Sequence, residues 1–168
     1  NKFHFIDKNL KLKNYNFEGD ALITNKKKFP IAILTADCAP ILIYDDNEKM
    51  IATIHAGWKG AFKGIIKRTL NFMIKKGCTP KNITAVIGPC ISVNSYEVKK
   101  DFIKKLMKKD VKNKKFFKKI RNKDFFNLKK YVHSQLKALN IKKIDIINKD
   151  TFNPKNNFFS ARRSISRN

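Results

Sequence analysis

The sequence predicts a single α/β (α+β) domain over residues 1–168, with mixed β-sheets packed against outer helices. Three observations predict this class. Apolar runs typical of strands lie on both sides of a polar turn at 45–48, apolar residues recur at helical spacing after Gly57, and strand and helix patterns then alternate as far as residue 147. A hydrophobic content of 42% in 168 residues is enough to form a core.

The first part of the chain predicts a hairpin followed by a helix. Residues 29–44 have the composition of a strand that is bent at Cys38 to Pro40, and residues 50–54 form the return strand after the turn. The helix then carries apolar side chains at helical spacing, namely Phe62, Ile65, Ile66, Leu70 and Met73. It ends at 75–77, where two lysines precede a glycine.

The second part of the chain predicts two more strands and two more helices. A strand over 82–87 ends at a Gly-Pro pair, and Ser95 is placed to cap a second helix. The lysine-rich residues 108–119 are expected to form a solvated surface segment, and a third helix is expected over 124–139. A last strand is predicted at 144–147, before an irregular tail.

The charge of the chain raises the question of a nucleic-acid partner. The net charge is +25, with 38 basic residues against 13 acidic ones, and such a surface attracts phosphate backbones. Only five of the basic residues are arginines, however, and the lysines are spread over nearly every segment. We therefore expect no specific nucleic-acid partner, and keep a non-enzymatic, basic nucleic-acid-binding protein as an alternative.

Cysteine usage and hydropathy bear on the compartment. Three cysteines are too few, and odd in number, for a disulfide framework, which favours the cytoplasm. No apolar run approaches the roughly 20 residues that cross a bilayer, so we expect no membrane association. The chain begins with Asn1, and we expect it to be a piece trimmed at the N-terminus; the sequence leaves the oligomeric state open.

A cysteine and a histidine lie at the open end of the predicted hairpin. If the hairpin closes on Asn47 and Glu48, His55 faces Pro40, and Cys38 lies one diagonal step away on the same face of the sheet. Diagonal Cβ atoms are roughly 7 Å apart or less. A metal ion held by a thiolate at ~2.3 Å and an imidazole at ~2.0 Å fits this gap.

Three interpretations of this pair remain open on geometry alone. Cys38 can be a small core residue beside a hydrogen-bonded His55, as is common for both residue types. The pair can be the nucleophile and base of a metal-free cysteine hydrolase. It can also be two ligands of a zinc site that takes a third protein ligand and keeps one position open for chemistry.

Five short blocks, in order along the chain, resemble one known family. They are GDALIT (19–24), TADC (35–38), IHAGWKG (54–60), IGPC followed by SYEV (87–90 and 95–98), and FFSARR (158–163). Together they resemble the laccase-domain family of purine nucleoside phosphorylases, formerly called multicopper polyphenol oxidases, and we expect a bacterial member. The likeness extends over nearly the whole chain.

The resemblance implies a zinc ion, Zn²⁺, bound by Cys38, by His55 and by a histidine upstream of the first block. It also implies phosphorolysis of adenosine, inosine, guanosine and methylthioadenosine to the free base and ribose 1-phosphate, with adenosine deaminase activity besides. Purine nucleoside and phosphate are thus the expected partners. A set of copper ions is not expected, because the chain has only three histidines.

The third zinc ligand is where the chain departs from the family pattern. The family histidine precedes the strand that NKFHFID occupies here, so it is expected upstream of Asn1. His4 is a weak candidate for this ligand, because its position matches the strand and not the ligand. His133 is expected on a helix surface.

Three basic residues are candidates for binding the substrate. Arg162 and Arg163 are adjacent guanidinium groups, which suit phosphate or ribose oxygens. Lys59 adds a positive charge beside the start of the helix that follows His55. Cys38 and His55 are the expected catalytic residues.

Overall fold

The computed structural model describes residues 2–7, 9 and 17–165. Its strands are β1 (Phe3–Ile6), β2 (Ala21–Thr24), β3 (Ala39–Asp45), β4 (Met50–Ala56), β5 (Ile83–Ile87), β6 (Phe117–Ile120), β7 (Lys123–Phe126) and β8 (Lys143–Ile146). Its helices are α1 (Trp58–Phe62), α2 (Ile65–Lys75), α3 (Lys100–Lys109), α4 (Leu128–Ala138) and α5 (Ala161–Ile165), with short 3₁₀ turns at Val111–Phe116 and Pro154–Asn156. The α/β class with mixed strand directions is confirmed.

Six strands form one mixed sheet in the order β1-β2-β4-β3-β5-β8. The β1–β2 and β5–β8 pairs are parallel, and the others are antiparallel. The central strands bury one face of the sheet through their alanines and isoleucines, and α2 packs against β4 and β2. Leu42 on the opposite face is 53% exposed.

The predicted register of the hairpin is confirmed. Tyr44 pairs with Ile51, and Pro40 pairs with His55, as a hairpin closing on residues 47 and 48 requires. Asp45 holds the turn, because its Oδ1 accepts hydrogen bonds from the backbone N–H groups of Asn47 and Glu48, both at 3.0 Å.

The prediction of a strand over 29–44 is wrong in its first half. Residues 29–35 belong to none of the strands described, and β3 begins only at Ala39. The backbone at Asp37, whose φ of 81° lies in the left-handed region, prevents one strand from running through this position into β3. The resulting bend turns Cys38 into the mouth of the hairpin.

The helix predicted after residue 57 is present, but it is divided. Gly64 has a φ of 84°, which ends α1 and starts α2 in a new direction. Ile66, Leu70 and Met73 are fully buried, as their spacing predicts. The C-terminal signal is confirmed, since α2 ends at Lys75 and Gly77 follows with a φ of 105°.

Residues 95–139 differ most from the sequence prediction. Ser95 does not cap α3, which begins after Lys99; its hydroxyl donates to the Asp150 carboxylate at 2.7 Å instead. Residues 117–126, expected to be a surface segment and the start of a helix, form the β6–β7 hairpin. Phe126 pairs with Phe117 and is fully buried, so packing and not helical periodicity decides its conformation.

α4 begins where Asn127 caps it, with the Asn127 side chain accepting a hydrogen bond from the Lys130 N–H at 2.8 Å. Leu128, Val132 and Leu136 are buried, at the spacing of one face of a helix. Within the described parts of the chain, none of the helices has the length and apolar character needed to cross a bilayer.

Candidate metal centre and substrate cavity

Cys38 and His55 meet beside Gly57. Cys38 directly precedes β3, and His55 is the second-to-last residue of β4. A Cβ atom built on Gly57 would lie 2.7 Å from Cys38 Sγ and 3.9 Å from His55 Nε2. The two atoms therefore border the same small volume, which the absence of a side chain at position 57 leaves open. A sulfur and an imidazole nitrogen facing one such volume are a donor pair that zinc favours.

The other ring nitrogen of His55 faces a carboxylate. His55 Nδ1 lies 3.6 Å from Asp20 Oδ1, and the backbone N–H of His55 donates to Asp20 O at 2.7 Å. A histidine that directs Nδ1 toward a carboxylate presents Nε2 as the acceptor, which is the common arrangement of metal-ligating histidines. The GDALIT block thus positions the histidine of the IHAGWKG block across β2 and β4.

The thiol of Cys38 is held in its neutral form by its surroundings. Burial raises the pKa of Cys38, and the charges of Asp37 and Asp20 raise it further. The thiolate that nucleophilic attack requires is therefore disfavoured in the protein alone. A bound cation would reverse this balance, because it stabilises the thiolate directly.

His4 lies in β1 and not with Cys38 and His55. Its Nε2 is 2.9 Å from Glu18 O, and its ring packs beneath Gly19. Among residues 2–7, 9 and 17–165, no three His, Cys, Asp or Glu side chains come together as a metal site. The expected third ligand, upstream of Asn1, lies outside the described residues.

Asp37 joins the bend before β3 to the C-terminal segment. Its Oδ1 accepts a hydrogen bond from Thr151 Oγ1 at 2.7 Å, and its Oδ2 accepts from Ser160 Oγ at 2.9 Å and from the Arg162 backbone N–H at 2.8 Å. The residue is only 9% exposed. A buried carboxylate with three donors is a strong local constraint, so Asp37 places α5 next to Cys38.

Arg162 lines a cavity together with Cys38. This cavity has a volume of about 190 Å³, and its walls also include Asp37, Tyr96 and Ile165. The guanidinium of Arg162 lies 5.2 Å from the centre of the Tyr96 ring and donates through Nη1 to Glu97 O at 3.0 Å. Burial raises the pKa of Tyr96 to about 12, with a smaller contribution from Cys38. Sequence analysis missed Tyr96, although it belongs to the SYEV block.

Arg163 differs from its neighbour, because its guanidinium is bound to backbone carbonyls. Nη1 donates to Thr151 O at 3.0 Å and to Phe152 O at 2.8 Å, and Nη2 donates to Phe158 O at 2.5 Å. These bonds hold the 151–158 loop in place. The adjacent arginines therefore point to different partners, one to the cavity and one to the loop.

Lys59 lies on the surface of α1. Its Nζ is 5.8 Å from the centre of the Trp58 ring, which itself packs edge-on against Phe102 with ring centres 4.7 Å apart. The described residues that line the cavity of Cys38 and Arg162 include neither Lys59 nor His55. Cys38 is thus the residue that connects the Gly57 volume with this cavity.

Comparisons with known proteins agree with the resemblance seen in the sequence. The family model described as multi-copper polyphenol oxidoreductase laccase matches residues 2–167. A purine nucleoside phosphorylase of Rickettsia prowazekii is 39% identical over 149 residues, and one of Haemophilus influenzae is 33% identical over 151 residues. Each alignment covers 88% of this chain and 61% of the relative, so the chain spans about three fifths of their length.

Solved structures show the same fold. The hypothetical protein YfiH of Bacillus licheniformis matches with a TM-score of 0.78 and 30% identity, over 87% of this chain and 57% of that one. Protein NMB0706 of Neisseria meningitidis matches with a TM-score of 0.76 and 28% identity, over 86% of this chain and 59% of that one. The chain therefore belongs to the multi-copper polyphenol oxidoreductase laccase family.

Proposed function

We propose that this chain carries the catalytic centre of a zinc-dependent purine nucleoside phosphorylase. The proposed reaction converts adenosine, inosine, guanosine or methylthioadenosine and phosphate into the free base and ribose 1-phosphate, and adenosine deamination is proposed as a second activity. The names of the relatives from Rickettsia and Haemophilus support the class of reaction. We also propose the cytoplasm as its location, in keeping with three free cysteines.

A single observation carries the proposal. Cys38 Sγ and His55 Nε2 border one small volume beside Gly57, while Asp20 lies behind the second nitrogen of the histidine. A sulfur, an imidazole and an outer carboxylate are the donor set of a zinc centre, and a residue with a side chain at position 57 would fill the volume. Cys38 and His55 would therefore hold the metal.

When bound, zinc supplies Lewis acidity toward a phosphate oxygen or a water molecule. The protein's own residues orient the reactants. Asp20 keeps the His55 ring turned so that Nε2 faces Gly57, and Asp37 holds the α5 backbone so that Arg162 reaches the cavity of Cys38. The face of the Tyr96 ring and the Glu97 carbonyl hold the guanidinium of Arg162 in one orientation. Arg162 therefore loses less conformational entropy when it binds an anion.

Lys59, Arg162 and Arg163 are the basic residues that we propose on the substrate side. The position of Arg162 on the cavity wall supports a direct contact with phosphate or ribose oxygens. The carbonyl contacts of Arg163 support a contribution through the 151–158 loop, and exposed Lys59 supports general attraction of anions.

Two other functions make different predictions. A metal-free hydrolase would use Cys38 as nucleophile and His55 as base, and it requires a thiolate that burial disfavours here. A nucleic-acid-binding protein would retain short RNA near physiological salt because of the +25 charge, with affinity falling steeply as salt rises.

The test is inosine phosphorolysis by the full-length protein, measured as hypoxanthine release with and without a zinc chelator, together with the zinc content per chain. We expect about one zinc per chain and loss of both zinc and activity in His55→Gln and Cys38→Ala. His133→Gln is the matched control, because His133 lies on α4 and is not one of the side chains nearest the Cβ position of Gly57, and it should keep both. Base release that persists in metal-free protein and is abolished by alkylation of Cys38 would replace the proposal with the hydrolase.

A further inference from the structure

A second and larger cavity lies among the helices, outside the proposed catalytic site. Its volume is about 460 Å³, within the ~300–1,000 Å³ typical of small-ligand sites. It is bordered by the junction of α1 and α2, by α4, and by the 3₁₀ turn at Val111–Phe116. It shares none of its lining residues with the cavity of Cys38 and Arg162.

The inner wall of this helix cavity is apolar and aromatic. Phe116 and Tyr131 are 3% and 5% exposed and their rings meet edge-on with centres 5.2 Å apart, so only a small part of each ring reaches the cavity. The glycine at 64 leaves its side of the cavity open, because nothing lies within 4 Å of the position that a Cβ would take. Together with Ala138 and Leu139 these ring edges form an apolar floor, and a flat ring can meet aromatic edges through its face.

Hydrogen-bond acceptors lie beside the aromatic wall. Ser134 Oγ donates to Tyr131 O at 2.8 Å, and Gln135 Nε2 donates to Ala61 O at 3.2 Å. These bonds use donors, so the hydroxyl lone pairs of Ser134 and the amide oxygen of Gln135 keep acceptor capacity. They suit the N–H groups of a heteroaromatic ring better than a plain hydrocarbon.

The rim of the helix cavity is basic. Lys67, Lys109, Lys112 and Lys115 line it, with one acidic residue, Asp110. The Asp110 carboxylate already accepts the Lys112 backbone N–H at 2.8 Å, where it caps the 3₁₀ turn. Lysines occur over the whole chain, so positive charge alone does not indicate a binding site. In the helix cavity the lysines surround a concave wall that also carries hydrogen-bond acceptors.

We propose that the helix cavity binds a small anionic ligand with a heteroaromatic ring, of the mononucleotide class. The ring lies on the apolar floor to which Ala138 and Leu139 contribute beside the ring edges of Phe116 and Tyr131, and lysines of the rim bind the anionic group. The site is a concave pocket of about 460 Å³ between helical segments, a size that favours a single small ligand over a nucleic-acid strand. The inference does not depend on the proposed phosphorolysis, because the two sites share no residues.

The test is calorimetric titration of the full-length protein with AMP, in the wild type and in three variants. Lys112→Gln/Lys115→Gln removes two charges from the rim, and we expect AMP to bind about tenfold more weakly, since charge-assisted bonds of this kind are worth on the order of 1.4 kcal/mol or more. Lys114→Gln is the matched control: it is exposed in the same 3₁₀ turn but does not line the cavity, and binding should change less than about twofold. Ala138→Trp fills the cavity from an exposed position on α4 and should abolish binding.

Each alternative result overturns the proposal. Absence of binding heat with millimolar AMP would overturn it. AMP binding that is the same in wild type, Lys112→Gln/Lys115→Gln and Ala138→Trp would also overturn it, because AMP would then occupy the other cavity. Equal weakening by Lys114→Gln, with short RNA binding more tightly than AMP, would indicate a diffuse polyanion surface instead. Urea unfolding of each variant confirms that it is folded.

Discussion

Gly57→Ala tests whether Cys38 and His55 border one small volume. The added Cβ would lie 2.7 Å from Cys38 Sγ, whereas carbon and neighbouring heavy atoms pack at about 3.5–4.0 Å, so the thiol must move by roughly 1 Å. The backbone itself is not strained, because Gly57 has a φ of −68° and a ψ of 164°, which alanine adopts readily. The substitution therefore acts through the side chain of Cys38.

The expected magnitude follows from overpacking. Forcing a methyl group against a neighbouring atom inside van der Waals distance costs about 1–3 kcal/mol. Two smaller effects oppose each other: alanine is a poorer N-cap residue than glycine, and it restricts the unfolded chain, which stabilises by about 0.4–1 kcal/mol. We therefore expect Gly57→Ala to lower the free energy of unfolding by about 1–3 kcal/mol. Zinc affinity should fall by at least the ~10–100-fold that follows the loss of an outer partner.

The assay is a double-mutant cycle with Cys38→Ala, measured by urea unfolding in the presence of a chelator. In the Cys38→Ala background the clash is absent, so Gly57→Ala should cost little, and the coupling free energy should be about 1–3 kcal/mol. The capping and unfolded-state contributions are the same in both backgrounds and cancel. A coupling near zero, or unchanged zinc affinity of Gly57→Ala in competition with a chromophoric chelator, would refute the convergence at Gly57.

Three other substitutions test the supporting contacts. Asp37→Asn keeps a residue that tolerates the φ of 81° but removes the charge that three donors share, so unfolding free energy should fall by about 2–4 kcal/mol in urea. Arg163→Lys should destabilise by about 1–3 kcal/mol, because the single nitrogen of an ammonium cannot reproduce the fork of two guanidinium nitrogens that reaches the three carbonyls. Arg162→Lys should instead lower kcat/KM for inosine with little effect on unfolding. Burial raises the pKa of the Asp150 carboxyl, but hydrogen bonds from two serine hydroxyls and two backbone N–H groups outweigh burial and lower this pKa. The ionised carboxylate therefore stabilises the folded protein above the unfolded-state pKa of about 3.9, and this contribution is lost as pH falls through the folded-state pKa. Asp150→Asn should make the free energy of unfolding less dependent on pH below about pH 4.

Exposed residues of the same types are the controls. Asp145→Asn in β8 is matched to both aspartate variants, and Arg68→Lys on α2 is matched to both arginine variants; each should change unfolding by less than about 0.5 kcal/mol. Equal stability of Asp37→Asn and wild type would contradict the three-donor constraint. If Arg162→Lys destabilised the protein as much as Arg163→Lys, the two arginines would not have separate roles. If Asp150→Asn showed the same loss of unfolding free energy below about pH 4 as the wild type, the titration of Asp150 would not be its cause.

The hairpin is where the sequence determined most. Its register depends on the position of the turn, and the turn depends on local chemistry, with Asp45 binding two backbone N–H groups of the turn. Because strand side chains alternate with a period of two, the position of the turn determines that His55 faces Pro40. Cys38 and His55 were therefore predictable as neighbours, and the family blocks were readable without coordinates.

Packing overrode local pattern in residues 95–126. Phe125 and Phe126 fit the apolar face of a helix as well as a strand, and a short apolar run does not distinguish the two. The structure pairs them with β6 and buries Phe126, which moves the start of the helix to Leu128. Ser95 had a capping composition, but the carboxylate of Asp150 was the stronger partner.

The sequence by itself determined which residues are available for chemistry and how the hairpin presents two of them. Only the tertiary structure decided that Asp37 binds Ser160, 123 residues later, and that Arg162 lies over Tyr96 while Arg163 turns to the loop. The physical reason is range. The turn and the strand register depend on residues that are neighbours in the chain, whereas the cavity is formed by contacts between distant segments. Local periodicity does not predict which buried carboxylate will accept a hydrogen bond from which distant donor.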